Sequence, residues 1–164
     1  NFEKIQSEMQ IKKISIDLGD VKFELKIKVP LKKEMEEINH RILSPSAEKI
    51  EAIYQKISAP MLATLEEGGE EFLKALNESG SKKVTKTDND LILDGTSLRQ
   101  VSQFSAIEES RVEEFFHLLL SESGEAIQES YDEISAEFPE FVIKEIVQSI
   151  QGAISPDYKA AKKN

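Results

Sequence analysis

The 164-residue sequence has no cysteine, only two histidines and no long apolar run. Without cysteine, the chain cannot build a disulfide framework, a thiolate zinc site or a cysteine nucleophile. No segment approaches the roughly 18 consecutive apolar residues of a membrane span. The first residues also lack the apolar core of a secretory signal peptide. We therefore predict a cytoplasmic protein with no membrane partner.

The charge balance is acidic, with 31 acidic and 21 basic side chains and a net charge of −10. Binding to nucleic acid depends mainly on attraction to phosphate, so we predict no nucleic-acid partner. The charge is unevenly spread, because residues 1–33 carry a net +3 and residues 105–147 carry −10. These regions could meet head to tail in a homo-oligomer, or the acidic region could meet a basic partner. The simpler alternative is a solvated, self-repelling surface.

A β-hairpin is predicted over residues 13–29. Apolar and polar residues alternate on both sides of Gly19-Asp20, and glycine suits a tight turn. One face is apolar and must be covered, whereas the other is charged. Pro30 ends the second strand because it cannot donate to a ladder. The apolar set is Ile14, Ile16, Leu18, Val21, Phe23, Leu25, Ile27 and Val29.

Helical periodicity follows over residues 31–79 and 97–154, separated by a short hairpin or loop at 80–96. Pro60 is expected to kink or break the first region, and Gly68-Gly69 to interrupt it.

Ser97 is expected to begin a helix that continues to Leu120. A further helix is expected after Gly124, with Ile127, Tyr131 and Ile134, and Pro139 is expected to start the last one. The predicted fold class is α+β, with an N-terminal β-hairpin packed on a mostly helical domain. This single domain covers residues 1–156, followed by a polar tail at 157–164.

Two Glu-x-x-His pairs, Glu37/His40 and Glu114/His117, have the spacing found in di-iron helical bundles. A helical wheel turns both pairs away from the apolar faces, so we predict solvated residues and no metal site. The acidic run from Asp88 also lacks the alternating oxygen donors of a calcium loop.

No catalytic motif is present, neither a nucleophile elbow nor a phosphate-binding glycine loop. We predict a non-enzymatic binding protein with no cofactor. A hydrolase or metal enzyme with an unrecognised site is the enzymatic alternative.

Clustered aromatic and acidic residues are the candidates for partner binding. An apolar patch wider than one helical stripe is either buried core or half of an interface. The candidates are Phe115, Phe116, Leu119, Leu120, Phe138, Phe141, Glu108, Glu109, Glu113 and Glu114.

The sequence resembles the tail assembly chaperones of tailed bacteriophages in its general layout. The shared features are the opening hairpin, the strand ending in Lys28-Val29-Pro30, the acidic helices and the polar end with Lys162-Lys163. The resemblance implies a non-catalytic protein of the host cytoplasm that binds the tape-measure protein during tail assembly. It also implies a longer frameshifted product, with which Lys162-Lys163 is compatible. The alternative function is an acidic inhibitor or DNA mimic that binds a basic partner.

Overall fold

The computed structural model describes residues 2–80 and 83–155, so the predicted tail at 157–164 lies outside the described residues. The fold class is α+β, as predicted. The elements in chain order are α1 (Phe2–Met9), β1 (Ile11–Asp17), β2 (Lys22–Lys28), α2 (Lys32–Leu43), α3 (Ala47–Ser79), β3 (Val84–Lys86), β4 (Leu91–Leu93), β5 (Thr96–Ser97), α4 (Leu98–Phe116), β6 (Leu119–Leu120), α5 (Tyr131–Glu137) and α6 (Glu140–Ile154).

The chain divides into two compact units. The terminal unit contains the described residues up to His40 and from Arg111 onward, and the middle unit is Arg41–Ser110. The prediction of one domain over residues 1–156 stays a prediction. Within the described ranges, no helix combines the length and apolarity needed to cross a membrane.

The predicted hairpin is confirmed in the terminal unit. Strands β1 and β2 pair antiparallel, with Ile14 opposite Leu25 and Ile16 opposite Phe23. Gly19 has φ 91° in the connecting turn, a value that glycine adopts without steric cost. The buried side chains alternate along β1, and the intervening face is exposed. The local period-two pattern therefore determines which face of the hairpin is covered.

A third strand, β6, extends this sheet in the order β1-β2-β6. The helix predicted to continue to Leu120 instead ends at Phe116. The Lys28 N–H donates to the Leu118 carbonyl at 2.8 Å, and Lys26 pairs with Leu120. The exposed edge of β2 satisfies its backbone groups with this segment, which overrides the helical periodicity of residues 117–120.

Helix α6 covers the hairpin and packs on β1. Pro139 immediately precedes it, as predicted, and the Lys12 Nζ donates to the Ala153 carbonyl at 3.2 Å. The apolar stripe of α6 is buried and consists of Val142, Ile143, Ile146, Val147 and Ile150. This stripe supplies the cover that the apolar face of the hairpin requires.

Helix α5 begins at Tyr131, so the predicted helix is confirmed at Tyr131 and Ile134, and only its inclusion of Ile127 is wrong. Ser130 and Glu133 form a capping box in which each side chain accepts a backbone N–H at 3.2 Å. The cap satisfies the free N–H groups at this position and sets the start of the helix. The Tyr131 ring then meets Phe116 edge-on, with centroids 5.3 Å apart.

In the middle unit, α3 continues through Pro60, so the break alternative of the prediction is wrong, and a kink at Pro60 stays a prediction. Proline removes one backbone donor, but the buried side chains Tyr54, Ser58 and Leu65 lie on both sides of it and hold the helix. The predicted interruption at the glycine pair is confirmed at Gly69, whose φ 68° and ψ −167° lie in a region that is essentially restricted to glycine.

The segment between α3 and α4 is a short antiparallel hairpin, β3 with β4, extended by β5. Leu65 of α3 packs with Val84 and Leu91 of this hairpin in one buried apolar cluster. The Asn77 side chain clamps Val84, accepting its N–H at 2.7 Å and donating to its carbonyl at 3.0 Å. The apolar side chains packed on this cluster are Met61, Leu62, Leu73, Leu76, Leu93 and Leu98.

Candidate functional site

The predicted aromatic patch around α4 is divided between core and surface. Phe115, Phe116 and Leu119 are buried in the terminal unit, and Leu120 is half-buried. Buried side chains cannot present a ready-made binding surface. Of the two predicted roles for this patch, buried core or half of an interface, the positions of these side chains favour the buried core.

Phe138 and Phe141 are surface residues, 44% and 65% exposed. Phe138 lies between α5 and α6 and Phe141 in the first turn of α6, on either side of Pro139, and Glu137 and Glu140 beside them are also exposed. We name residues 137–141 the α5–α6 corner. The corner presents two aromatic rings and two carboxylates on the terminal unit, a combination that favours protein contact.

The predicted acidic candidates on α4 differ in their surroundings. Glu108 and Glu109 are exposed, whereas Glu113 and Glu114 are half-buried. Glu113 and Glu114 interact with other groups in the structure. The four carboxylates therefore do not form a uniformly exposed row.

The residues of the Glu-x-x-His pairs do not assemble a centre. Glu37, His40 and His117 are exposed, as the helical wheel predicts, while Glu114 is half-buried. Across residues 2–80 and 83–155, no three acidic or histidine side chains lie together in a way that could hold a metal ion.

An apolar groove, absent from the sequence predictions, lies along α1. Phe2, Ile5 and Met9 occupy one stripe of the helix and face Val29 and Leu31 beyond the end of β2. The cavity measures about 450 Å³ and is also lined by Gln10 and Pro30. Phe2 is 89% exposed and Met9 71%. We name this cavity the α1 groove. The i, i+3, i+7 spacing of Phe2, Ile5 and Met9 was the sequence signal that could have revealed the helix.

Glu34 connects the elements that border the α1 groove. Its carboxylate accepts hydrogen bonds from Lys28 Nζ at 2.9 Å, the Leu31 N–H at 3.1 Å and Gln10 Nε2 at 3.1 Å. The Val29 N–H donates to the Gln10 carbonyl at 2.5 Å. One side chain thus ties α2 to the end of β2 and to the α1–β1 junction, which fixes the wall of the groove.

The same bonds hold the pKa of Glu34 below its ordinary value. The hydrogen bond from Lys28 is the main cause, followed by the Leu31 N–H, and together they outweigh the desolvation that raises the pKa. Lys32 and Lys33 extend from the same turn and are exposed. Glu36 and Glu37 are exposed on the next turn of the same helix, so the α2 side of the α1 groove carries both signs of charge.

A second cavity, of about 310 Å³, lies on the charged face of the sheet. Its lining includes Lys13 and Lys26, which are cross-strand partners, together with Glu24 and Leu120. The Lys26 Nζ donates to the Glu122 carbonyl at 2.6 Å. Lysines and carboxylates alternate here, so the face offers no uniform field for an anion.

A polar network in the middle unit organises the start of α4. Asp90 accepts hydrogen bonds from the Leu91 N–H at 2.8 Å, the Arg99 N–H at 3.0 Å and the Ser97 hydroxyl. Ser97 Oγ in turn accepts the Gln100 N–H at 3.1 Å, which confirms Ser97 as a cap. The network fixes a loop to the start of a helix.

Arg99 extends this network towards α3. Its guanidinium lies over the Tyr54 ring, 3.7 Å from the centroid, and pairs with Glu51. The Arg99 Nε also donates to the Asn89 carbonyl at 2.6 Å. Cation–π stacking and the ion pair orient Arg99 within the middle unit.

Neither a scan against protein-family models nor searches of curated proteins and of solved structures returned a match to this chain.

Proposed function

We propose that this chain is a non-enzymatic binding protein that receives an apolar helical segment of a partner protein in the α1 groove. The observation that carries the proposal is the exposed apolar stripe of α1 facing Val29 and Leu31. Helix-in-groove recognition uses such a surface, because apolar residues on one face of the incoming helix replace the water on the groove.

The resemblance to phage tail assembly chaperones names a specific partner, the tape-measure protein. Such a long helical partner exposes apolar stripes before assembly, and a groove of this kind would cover part of them. The net charge of −10 supports this role because self-repulsion keeps such complexes apart. The alternative, an acidic inhibitor or DNA mimic, depends on the α4 carboxylates. Glu113 and Glu114 are half-buried and already interact with other groups, so the groove has the stronger support.

Co-expression with a tape-measure segment from the same genome tests the proposal. We expect the segment to stay in the supernatant with the native chain and to precipitate with the double variant Ile5→Ser/Met9→Ser, which removes two of the three apolar side chains of the α1 stripe. The control is Phe104→Ser, because Phe104 is 62% exposed and lies in the middle unit. Equal precipitation with and without the native chain would refute the proposal.

A further inference from the structure

We infer that the outer edge of β1 is a second binding site, which takes an extended segment of a partner protein as a fourth strand of the sheet. The strand order is β1-β2-β6, so β1 has a strand on one side only among the described residues. Strand addition at such an edge gains its affinity from main-chain hydrogen bonds. The inference does not depend on the α1 groove or on the function proposed for it.

The backbone of β1 presents every second residue to this edge. The Leu18 N–H donates to the Val21 carbonyl at 2.9 Å, and the Val29 N–H donates to the Gln10 carbonyl at 2.5 Å. Even-numbered residues of β1 therefore direct their backbone groups towards β2, and odd-numbered residues direct theirs outward. Within the described ranges, the outward N–H and C=O groups form no backbone hydrogen bond. They belong to Ile11, Lys13, Ser15 and Asp17.

The shape of β1 leaves this edge open to pairing. Native edge strands are commonly shortened, bulged or interrupted by proline, which prevents pairing with another chain. Strand β1 is seven residues long, contains neither proline nor glycine, and pairs with β2 in one unbroken register. Its charged side chains, Lys12, Lys13 and Asp17, lie towards the two ends and leave residues 14–16 uncharged. The edge therefore offers a continuous row of donors and acceptors that an extended backbone can satisfy.

The position of α6 selects a strand of another protein and not a second copy. Helix α6 packs chiefly on the edge strand β1 and not on the central strand β2. A strand added at the usual spacing of about 4.8 Å would lie beside β1 and beneath the flank of α6. Antiparallel pairing of two copies through β1 would instead bring both α6 helices onto one face, about 5 Å apart, whereas packed helices need about 8–10 Å.

The two faces of β1 define the side-chain pattern of the occupant. Ile14 and Ile16 are buried on the face that α6 covers, and Ser15 between them is exposed on the other face. An added strand continues the apolar layer with its residues on the α6 side and presents polar residues to water on the other side. Residues directly opposite in an antiparallel pair share a face, so the polar residues of the occupant form the hydrogen bonds to Lys13 and Ser15. The inferred occupant is therefore an amphipathic extended segment.

A capped synthetic peptide, Thr-Val-Glu-Val-Thr-Val-Thr, serves as the probe. N-methylation of its valines blocks the edge that faces away from β1 and leaves its polar residues free to pair. Amide hydrogen exchange followed by NMR measures the binding. We expect the peptide to slow exchange at Lys13 and Ser15, whereas Ile14 and Ile16, already bonded to β2, should change little.

The matched control is the same peptide N-methylated at its polar residues instead of its valines. Its side chains are unchanged, but the donors that face β1 are lost. We expect it to bind at least about tenfold more weakly, because several main-chain hydrogen bonds disappear together. Equal binding of the two peptides would mean that side chains alone hold them, and that result would overturn the inference.

The variant Ser15→Pro tests the same edge from the side of the protein. Proline removes the outward N–H and is tolerated on an edge strand when that N–H faces solvent, so the pairing with β2 is kept. Ser15→Thr is the control, because it retains the N–H. We expect Ser15→Pro to bind the peptide at least about tenfold more weakly and Ser15→Thr to bind it like the native chain. Circular dichroism establishes folding, and if Ser15→Pro does not fold, the two peptides decide.

Three results would contradict the inference. The first is a native chain whose Lys13 and Ser15 amides stay unprotected at millimolar peptide. The second is a folded Ser15→Pro variant that binds the peptide like the native chain. The third is a dimer of the native chain, seen by sedimentation velocity, that disappears in Ser15→Pro, because the edge would then belong to a second copy.

The α1 groove is scored separately from the β1 edge. The groove variant Ile5→Ser/Met9→Ser should bind the strand peptide like the native chain, and loss of peptide binding in this variant would overturn the inference. Ser15→Pro should keep the tape-measure segment soluble like the native chain. If the native chain binds the strand peptide but fails to solubilise the segment, the proposed function fails and the strand site stands.

Discussion

At the scale of single residues, Asp90 illustrates how one carboxylate can define a helix end. Two of the free N–H groups at the start of α4 find acceptors here, the Arg99 N–H on Asp90 and the Gln100 N–H on Ser97. Desolvation raises the pKa of Asp90, but hydrogen bonds from Ser97, Arg99 and Leu91 outweigh it and hold the pKa below its usual value. The charged form of Asp90 is therefore favoured by the folded state.

We predict that Asp90→Ala lowers the free energy of unfolding by about 1–3 kcal/mol, because several donors lose a charged acceptor together. Urea denaturation at neutral pH measures the change. Asp88→Ala is the control, since Asp88 is exposed in the same loop. Equal stability losses in the two variants would show that the hydrogen bonds of Asp90 contribute nothing specific.

At the scale of elements, α1 is a short helix of eight residues with an exposed apolar stripe. Isolated helices of this length are marginal in water. The hydrogen bonds of Glu34 to Lys28, Leu31 and Gln10 fix the chain at the end of α1 and at the start of α2. The conformation of the α1 groove therefore depends on a carboxylate that must be ionised.

We predict that Glu34→Gln destabilises the protein by about 1 kcal/mol at pH 7, since a half-exposed charged acceptor is lost. The folded pKa of Glu34 lies below its ordinary value of 4.5, so its stabilisation is complete above that pH and disappears as the pH falls towards the folded pKa. The difference between native and variant should therefore shrink below pH 4.5.

Urea denaturation of both proteins from pH 7 to about pH 3 checks this dependence. Glu36→Gln is the matched control, because Glu36 is exposed on the same helix. A native-to-variant difference for Glu34 that stays constant across this pH range would contradict the prediction.

At the scale of the whole molecule, the charge is polarised along the sequence. The +3 of residues 1–33 is cancelled by Glu34, Glu36 and Glu37 of α2, whereas the −10 of residues 105–147 includes the α5–α6 corner. The acidic charge is therefore concentrated in the second half of the terminal unit, and a net charge of −10 makes copies of the chain repel one another.

Local sequence patterns are sufficient for part of this architecture. The hairpin, the interruption at Gly69, the cap at Ser97 and the start of α6 after Pro139 were all predicted. Each depends on the conformational preferences of residues close together in the chain, such as alternation, a positive φ or a missing N–H. The exposure of His40 and His117 follows from the same periodicity.

The remaining features depend on residues that are distant in the chain. Strand β6 exists because β2 offers an unsatisfied edge, and this pairing overrides the helical pattern around Leu119. Periodicity identified Phe116 and Phe141 alike as apolar, but only packing buried the first and left the second exposed. The α1 groove likewise requires Glu34 to bring α1, β2 and α2 together. Periodicity specifies which side chains share a face, whereas the tertiary contacts decide whether that face is covered.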